Sequence, residues 1–288
     1  MKIIKPSVEF FGAVPTDYDG ALRFIEMAGR TCYKSDDKIT EDSAEGFVRK
    51  LIKAGHLAMI EHSNFVIRKP FDIYSPPDYP TEFKYLNVRL ERDSVYIGGN
   101  LTAWYQCFRS NGLAPIFDPF LEEYGSLFGV DIVEGGCGQW EVCPHDEIPK
   151  ELHRYSAKFI CDRGVSHELV RHRPCSFAQE STRYVNYGGK DMEFIEPAGF
   201  EQWIYDASER FKESCVKSEE WYQDMVGGCR LKPQQARAVL PNALKTEIVV
   251  TADAAEWRHI KKLRTHPSAH PDMVRVMNMM PWGFLDKD

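Results

Sequence analysis

Between Phe200 and Met225 the residues Phe200, Trp203, Ile204, Ala207, Phe211, Cys215, Tyr222 and Met225 recur at spacings near 3.6, and Gly227 and Gly228 follow directly. That period belongs to the α-helix, and paired glycines end one, so a long amphipathic helix with this stripe in the core is expected. Such a helix needs a surface to pack on. Lys158 to Cys161 and Leu244 to Thr251 read as strands. Further helices are expected over Thr16 to Tyr33, capped by Thr16, with Ala21, Leu22, Ile25 and Ala28 on one face, and over Ser43 to Ala54, with Phe47, Leu51 and Ile52 on its face. Gly55 stands where a left-handed C-terminal cap belongs. Val165 to His172, with Leu169 and Val170 inward, and Pro233 to Leu240 read as short helices. Asp253 is expected to cap a helix carrying Trp257, Ile260 and Leu263. Strands and helices do not alternate regularly, which predicts an α+β fold.

No repeat, low-complexity tract or Gly/Ser linker divides the 288 residues, so a single domain spanning 1–288 is expected. Residues 70–150 differ in texture, being dense in turn formers and aromatics, and read as an insertion that covers a site or extends the surface. The charged fraction of 27% and the absence of a long apolar run exclude a membrane-spanning helix. The N-terminal segment lacks the apolar region of a secretory signal, so a cytoplasmic location is expected. Eight cysteines without a CxxC pair suit reduced thiols. Cys137, Cys143, His145 and His153 lack the close ligand pairs of zinc motifs, and no metal is expected. A net charge of −7 argues against binding a nucleic acid polymer through global phosphate neutralisation. There is no GxGxxG after a strand, no P-loop, no HExxH and no GxSxG.

The densest polar stretch is Arg171-His172-Arg173-Pro174-Cys175-Ser176-Phe177-Ala178-Gln179-Glu180-Ser181-Thr182-Arg183-Tyr184. Guanidinium forks match phosphate and carbonyl oxygens, hydroxyls complete a phosphate cradle, and Gln179 with Glu180 could read the edge of a base. The same composition also suits a solvated loop at a helix C-terminus, where cations complement the macrodipole. Composition alone leaves both open.

Arg171-His172-Arg173 followed by seven residues and Ser181 resembles the signature of the flavin-dependent thymidylate synthases, the ThyX family. Three further blocks resemble that family in the same order: Gly55-His56 with Glu61-His62 and Phe65; Ala236-Arg237 with Val239-Leu240-Pro241 and Thr246-Glu247; and His259 with Leu263-Arg264. The likeness covers 16–68 and 155–275. It implies a homotetramer with a central, mostly antiparallel sheet packed with long helices, and FAD bound between subunits. The implied reaction is reductive methylation of dUMP to dTMP, with methylenetetrahydrofolate as carbon donor and NADPH as reductant. Carried over by position, Arg171, His172, Arg173, His56, Ala58, Gln179, Asp253 and His259 would face FAD. Glu168, Arg171, Gln179, Glu180, Ser181, Arg183 and Arg237 would hold dUMP, with Arg264 against the uracil as the catalytic cation. A flavin held this way needs no Rossmann glycines.

Several positions depart from the family's common pattern: Glu168 for Gln, Ala178-Gln179 for Asn-Glu, Ala58 for a hydroxyl, Asp253 for Asn, Ala255 for Arg and His270 for Gln. Glu168 bears most on base recognition, since an ionised carboxylate accepts but cannot donate. Two other readings remain: a flavin-dependent pyrimidine-nucleotide hydroxymethylase, and a non-catalytic nucleotide- or RNA-binding protein that stacks bases on the aromatics of 70–150.

Overall fold

In the computed structural model, residues 1–70, 86–91, 93–111, 114–130 and 139–286 are described. The chain opens with β1 (Lys2–Ile4), β2 (Ser7–Ala13), α1 (Tyr18–Tyr33), α2 (Ser43–Lys53), α3 (Leu57–Ile60) and β3 (Phe65–Pro70). The middle carries β4 (Asn87–Leu90), β5 (Ser94–Gly99), α4 (Leu101–Asn111), α5 (Asp118–Phe128) and β6 (Glu141–Val142). Then follow β7 (Arg154–Asp162), α6 (Arg163–Leu169), β8 (Ser176–Gln179), β9 (Glu193–Ile195) and α7 (Tyr205–Gly227). The chain closes with α8 (Pro233–Ala236), β10 (Lys245–Asp253), α9 (Ala254–Arg264) and α10 (Pro271–Met277).

The expected mixture of helices and antiparallel sheet is present. One antiparallel sheet has the order β2-β7-β10-β8, a second has β4-β5-β3-β6, and β1 pairs with β9 in parallel. β10 is the spine of the first sheet: it pairs with β7 from Lys245↔Asp162 to Asp253↔Arg154 and with β8 along its other edge. It is buried on both faces because α1 lies on one side and α9 on the other.

Local signals gave several boundaries. Gly55 takes φ +72°, the left-handed conformation that ends a helix without Cβ strain. Asp253 caps α9 by accepting from the Glu256 N–H at 2.8 Å. Other expectations are corrected. The cap of α1 is Asp17, accepting from the Gly20 N–H at 2.8 Å, while the Thr16 hydroxyl meets His145 Nδ1 at 3.1 Å. Phe200, Trp203 and Ile204 precede α7, and Ile204 is 75% exposed. Cys215 and Tyr222 carry the buried stripe. Leu263 and Val170 are exposed, because each lies near a helix end where the core has already turned away. Only Pro233–Ala236 of the 233–240 segment is α-helical, and Arg237–Val239 tightens to a 3-10 turn.

The middle segment is a structural layer. Trp104, Phe117, Phe120 and Tyr124 are fully buried and pack with Phe65 of β3 and with Leu22, Ile25 and Val48 of α1 and α2. The Trp104 indole donates to Phe65 O at 2.9 Å, so its polar atom is satisfied inside the core. These rings are therefore not platforms for stacking bases. Cys137 lies outside the described residues, and the seven described cysteines are free. Among the described residues no helix is long and apolar enough to cross a membrane.

Candidate active site

β7 runs into α6 through Asp162, whose carboxylate caps the helix at the Val165 N–H (2.9 Å). α6 lasts under two turns, and the chain folds back through Arg171 N–H to Glu168 O and His172 N–H to Leu169 O (3.2 and 3.0 Å). This sets His172 against α9. Arg264 Nε donates to His172 Nε2 at 3.0 Å, so the ring proton sits on Nδ1 and is donated to Glu256 Oε1 at 2.9 Å. Burial lowers the His172 pKa, with the Arg264 charge helping and Glu256 opposing. The ring is neutral and held at both nitrogens. Arg264 also grips Glu168, with Nη1 on the carboxylate at 2.7 Å and Nη2 on the backbone carbonyl at 3.1 Å. His259 lies beside this group, its ring 5.7 Å from that of His172. His172, Glu256 and His259 are close enough to surround a cation. Both nitrogens of His172 are already engaged, so this cluster does not match a ready metal site.

Beyond the turn, Arg171 and Arg173 present exposed guanidiniums. Gln179 donates its amide to Ser166 Oγ at 2.8 Å and Thr246 Oγ1 at 3.2 Å. Ser181 is half-buried, its hydroxyl accepting from the Arg183 N–H at 3.3 Å. Arg183 lies over the Tyr184 ring, and Arg237 donates to Thr182 Oγ1 at 3.2 Å, which brings Arg237 to the same turn. Glu180 instead points into the protein, accepting from Tyr187 Oη at 2.6 Å and Lys245 at 3.4 Å. It buttresses this turn and offers a ligand no exposed carboxylate. His56 and Ala58 are exposed on the other flank, with His56 Nδ1 3.4 Å from the Tyr33 hydroxyl.

A cavity of about 710 Å³ opens beside Arg173. Its wall on this side is Glu61, Asn64, Arg154, Arg173, Cys175, Ser176 and Asp253. Arg154 is buried and donates to Ser176 Oγ at 2.9 Å, while its Nε and the Oδ1 of Asn64 have no hydrogen-bond partner among the described residues. Burial raises the Glu61 pKa, partly offset by Ser176 and Arg154. Two guanidiniums beside two carboxylates suit a ligand bearing both phosphates and hydroxyls. Arg154, Glu61 and Asn64 had no role assigned from sequence, because a single polar residue at the end of a strand or turn carries no periodic signal.

Behind the cavity, His62 Nδ1–H donates to Thr251 Oγ1 at 2.8 Å, Thr251 to Ser156 Oγ at 2.8 Å, and Ser156 to Val250 O at 3.0 Å. Burial and the Arg154 charge push the His62 pKa down to about 3. The unfolded chain therefore binds a proton below pH ~6.5 that the folded chain refuses until about pH 3, so stability falls as the pH drops through this window. Denaturant titrations from pH 7 to 4.5 should show a slope that a His62→Gln variant reduces by about 1.4 kcal/mol per pH unit below ~6.5. An unchanged slope would mean that His62 is not the buried neutral group.

The family model for thymidylate synthase complementing protein matches residues 16–72 and 145–282, more than half of the chain. The chain belongs to this family. Residues 16–72 and 145–282 carry His56, the Arg171–Tyr184 segment, Arg237 and Arg264, and between them lie α4 and α5, the layer built around Trp104. Among curated relatives, the family member "Flavin-dependent thymidylate synthase" of Mycobacterium marinum is 26% identical over 276 residues, covering 91% of this chain and 74% of its own length. That of Mycolicibacterium vanbaalenii is 25% identical over 274 residues, covering 90% and 72%. Such relatives are enzymes. Among solved structures, the UMP/dUMP methylase PolB from Streptomyces cacaoi bound with 5-Br dUMP aligns at 16% identity and a TM-score of 0.43, covering 99% of this chain and 93% of that one. ThyX from Helicobacter pylori complexed with FAD and dUMP aligns at 13% and 0.39, covering 95% and 91%.

Proposed function

We propose that this protein converts dUMP to dTMP, taking the carbon from methylenetetrahydrofolate and reducing equivalents from NADPH through FAD. The arrangement of Arg264, neutral His172 and Glu168 around a family-type RHR turn carries the reading. The donor set fits FAD: Arg173 and Arg154, with the orphaned Arg154 Nε, border a polar cavity able to take a diphosphate and its sugars. Arg171, Arg173, His56 and His259 would hold the flavin from exposed positions, and Gln179 and Asp253 from half-buried ones. Ala58, exposed beside His56, offers FAD only backbone and a methyl group. When bound, the flavin supplies the hydride.

The protein's own share is orientation and charge. Arg183, Ser181 and Arg237 form the phosphate end of the proposed dUMP site, and Arg171 and Glu168 reach toward the same substrate. Arg264 places a permanent cation where charge develops on the pyrimidine as C5 becomes nucleophilic. His172 fixes the guanidinium plane through Nε, and Glu168 holds it until the base arrives. The exposed arginines and histidines, together with Ile204, Tyr205 and Trp221 at and near α7, suit a site closed by copies of the same chain, and we propose a homotetramer. Sedimentation with added FAD checks the assembly. Mass analysis of the product from dUMP, methylenetetrahydrofolate and NADPH checks the reaction, since methylation and hydroxymethylation differ by one oxygen; no modified pyrimidine would end the reading.

Cys175 is buried, and burial raises its thiol pKa well above neutrality, so it is not a thiolate nucleophile for C6. Cys175→Ala is expected to retain kcat within about tenfold, whereas removing a covalent nucleophile abolishes turnover. A dead but folded Cys175→Ala enzyme would return the chemistry to a thiolate.

A further inference from the structure

The cavity beside Arg173 has a second wall that the family-matched segments do not supply: Leu86, Asn87, Gly98 to Asn100, and Ala103 with Gln106 of α4. We propose that Asn87 and Gln106 bind the adenine and ribose half of the cofactor, making the inserted layer part of the flavin site; this rests on the flavin reading above.

Three observations carry the assignment. First, the wall is fixed to the matched segment facing it. The Leu101 N–H donates to Ser63 Oγ at 3.0 Å and Thr102 Oγ1 to Leu57 O at 2.9 Å, while Asn100 Oδ1 accepts from the Ala103 N–H at 2.8 Å and starts α4 there. Second, Asn87 and Gln106 are exposed and border the cavity, and neither carboxamide makes a hydrogen bond to another described residue. A carboxamide offers a donor and an acceptor side by side, the pairing that a purine edge presents in reverse. Third, the described lining residues bring two guanidiniums, two carboxylates and several amides to the cavity. Arginines suit a diphosphate, and carboxylates accept from ribose hydroxyls.

The test is to titrate flavin-free protein with FAD and, separately, with FMN, which lacks the adenosine half, following flavin fluorescence. Asn87→Ala and Gln106→Ala are each expected to weaken FAD binding about tenfold while leaving FMN binding unchanged. Gln106→Glu, which keeps the side-chain size, is expected to act in the same direction, and circular dichroism melts at the wild-type temperature verify that the exposed positions leave folding intact. Unchanged FAD affinity in both alanine variants would overturn the wall's role. Equal weakening of FAD and FMN would overturn the adenosine assignment while leaving the flavin reading standing. A wild-type protein that takes up neither flavin would overturn both.

Discussion

Arg264→Ala is expected to reduce turnover about 10²–10³-fold with flavin still bound, the size of effect seen when one preorganised stabiliser of developing charge is removed. The guanidinium is held at three points, by His172 Nε2, the Glu168 carboxylate and the Glu168 carbonyl, so its direction is set before substrate arrives. Lysine at this position keeps the charge but loses the fork, and should recover only a small part of the rate. A second readout follows from the same geometry. The Arg264 charge lowers the His172 pKa, so alanine should raise it, which NMR titration of the imidazole can follow. Turnover within tenfold of wild type would show that the cation does not act on the pyrimidine.

Glu247→Gln is expected to lower stability by about 3–5 kcal/mol, the largest effect among these substitutions on folding. Glu247 lies in β10 with one oxygen on Lys34 and Lys245 and the other on Lys158 at 2.7 Å. Removing its charge leaves three ammonium groups around a buried site, with buried Glu180 and the more exposed Glu193 as the other described acids near Lys245. These lysines hold the Glu247 pKa down to about 2 against burial. Because the folded value lies below the unfolded one, the stabilisation is complete above pH ~4.5 and is lost as pH falls toward 2. Denaturant melts at pH 7 and pH 3 should therefore differ less in the variant than in the wild type. A loss under 1 kcal/mol at pH 7 would mean that the cluster relaxes into water.

Features that depend on neighbouring residues were legible in the sequence. Gly55, the Asp253 cap and the Ala21, Leu22, Ile25 and Ala28 face are each decided within one or two helical turns. The RHR turn was legible as a segment, but its wiring was not. Arg264 and Glu168 are 96 residues apart, and no local pattern says that the carboxylate at 168 would grip this guanidinium. Glu180 looked like a ligand group because it lies between Gln179 and Ser181; alternation along β8 and the turn after it sends its side chain inward to Tyr187 and Lys245. The rival reading that made the aromatics of 70–150 stacking platforms fails at Trp104 and Phe120 for a similar reason. Trp104 and Phe120 sit among turn formers, and only the packing of α4 and α5 on β3 shows that they are core.

The layer of α4 and α5 does not own its core; Trp104 and Phe120 share it with Phe65, Leu22 and Val48 of the family-matched part. A module with a separate core could be lost, swapped or melted independently, but one that shares its interior belongs to the same cooperative unit. Removing α4 and α5 would strip the cover from Phe65 and one face of α1. Removing that layer is therefore expected to require compensating changes in α1 and α2, whose apolar residues share its core.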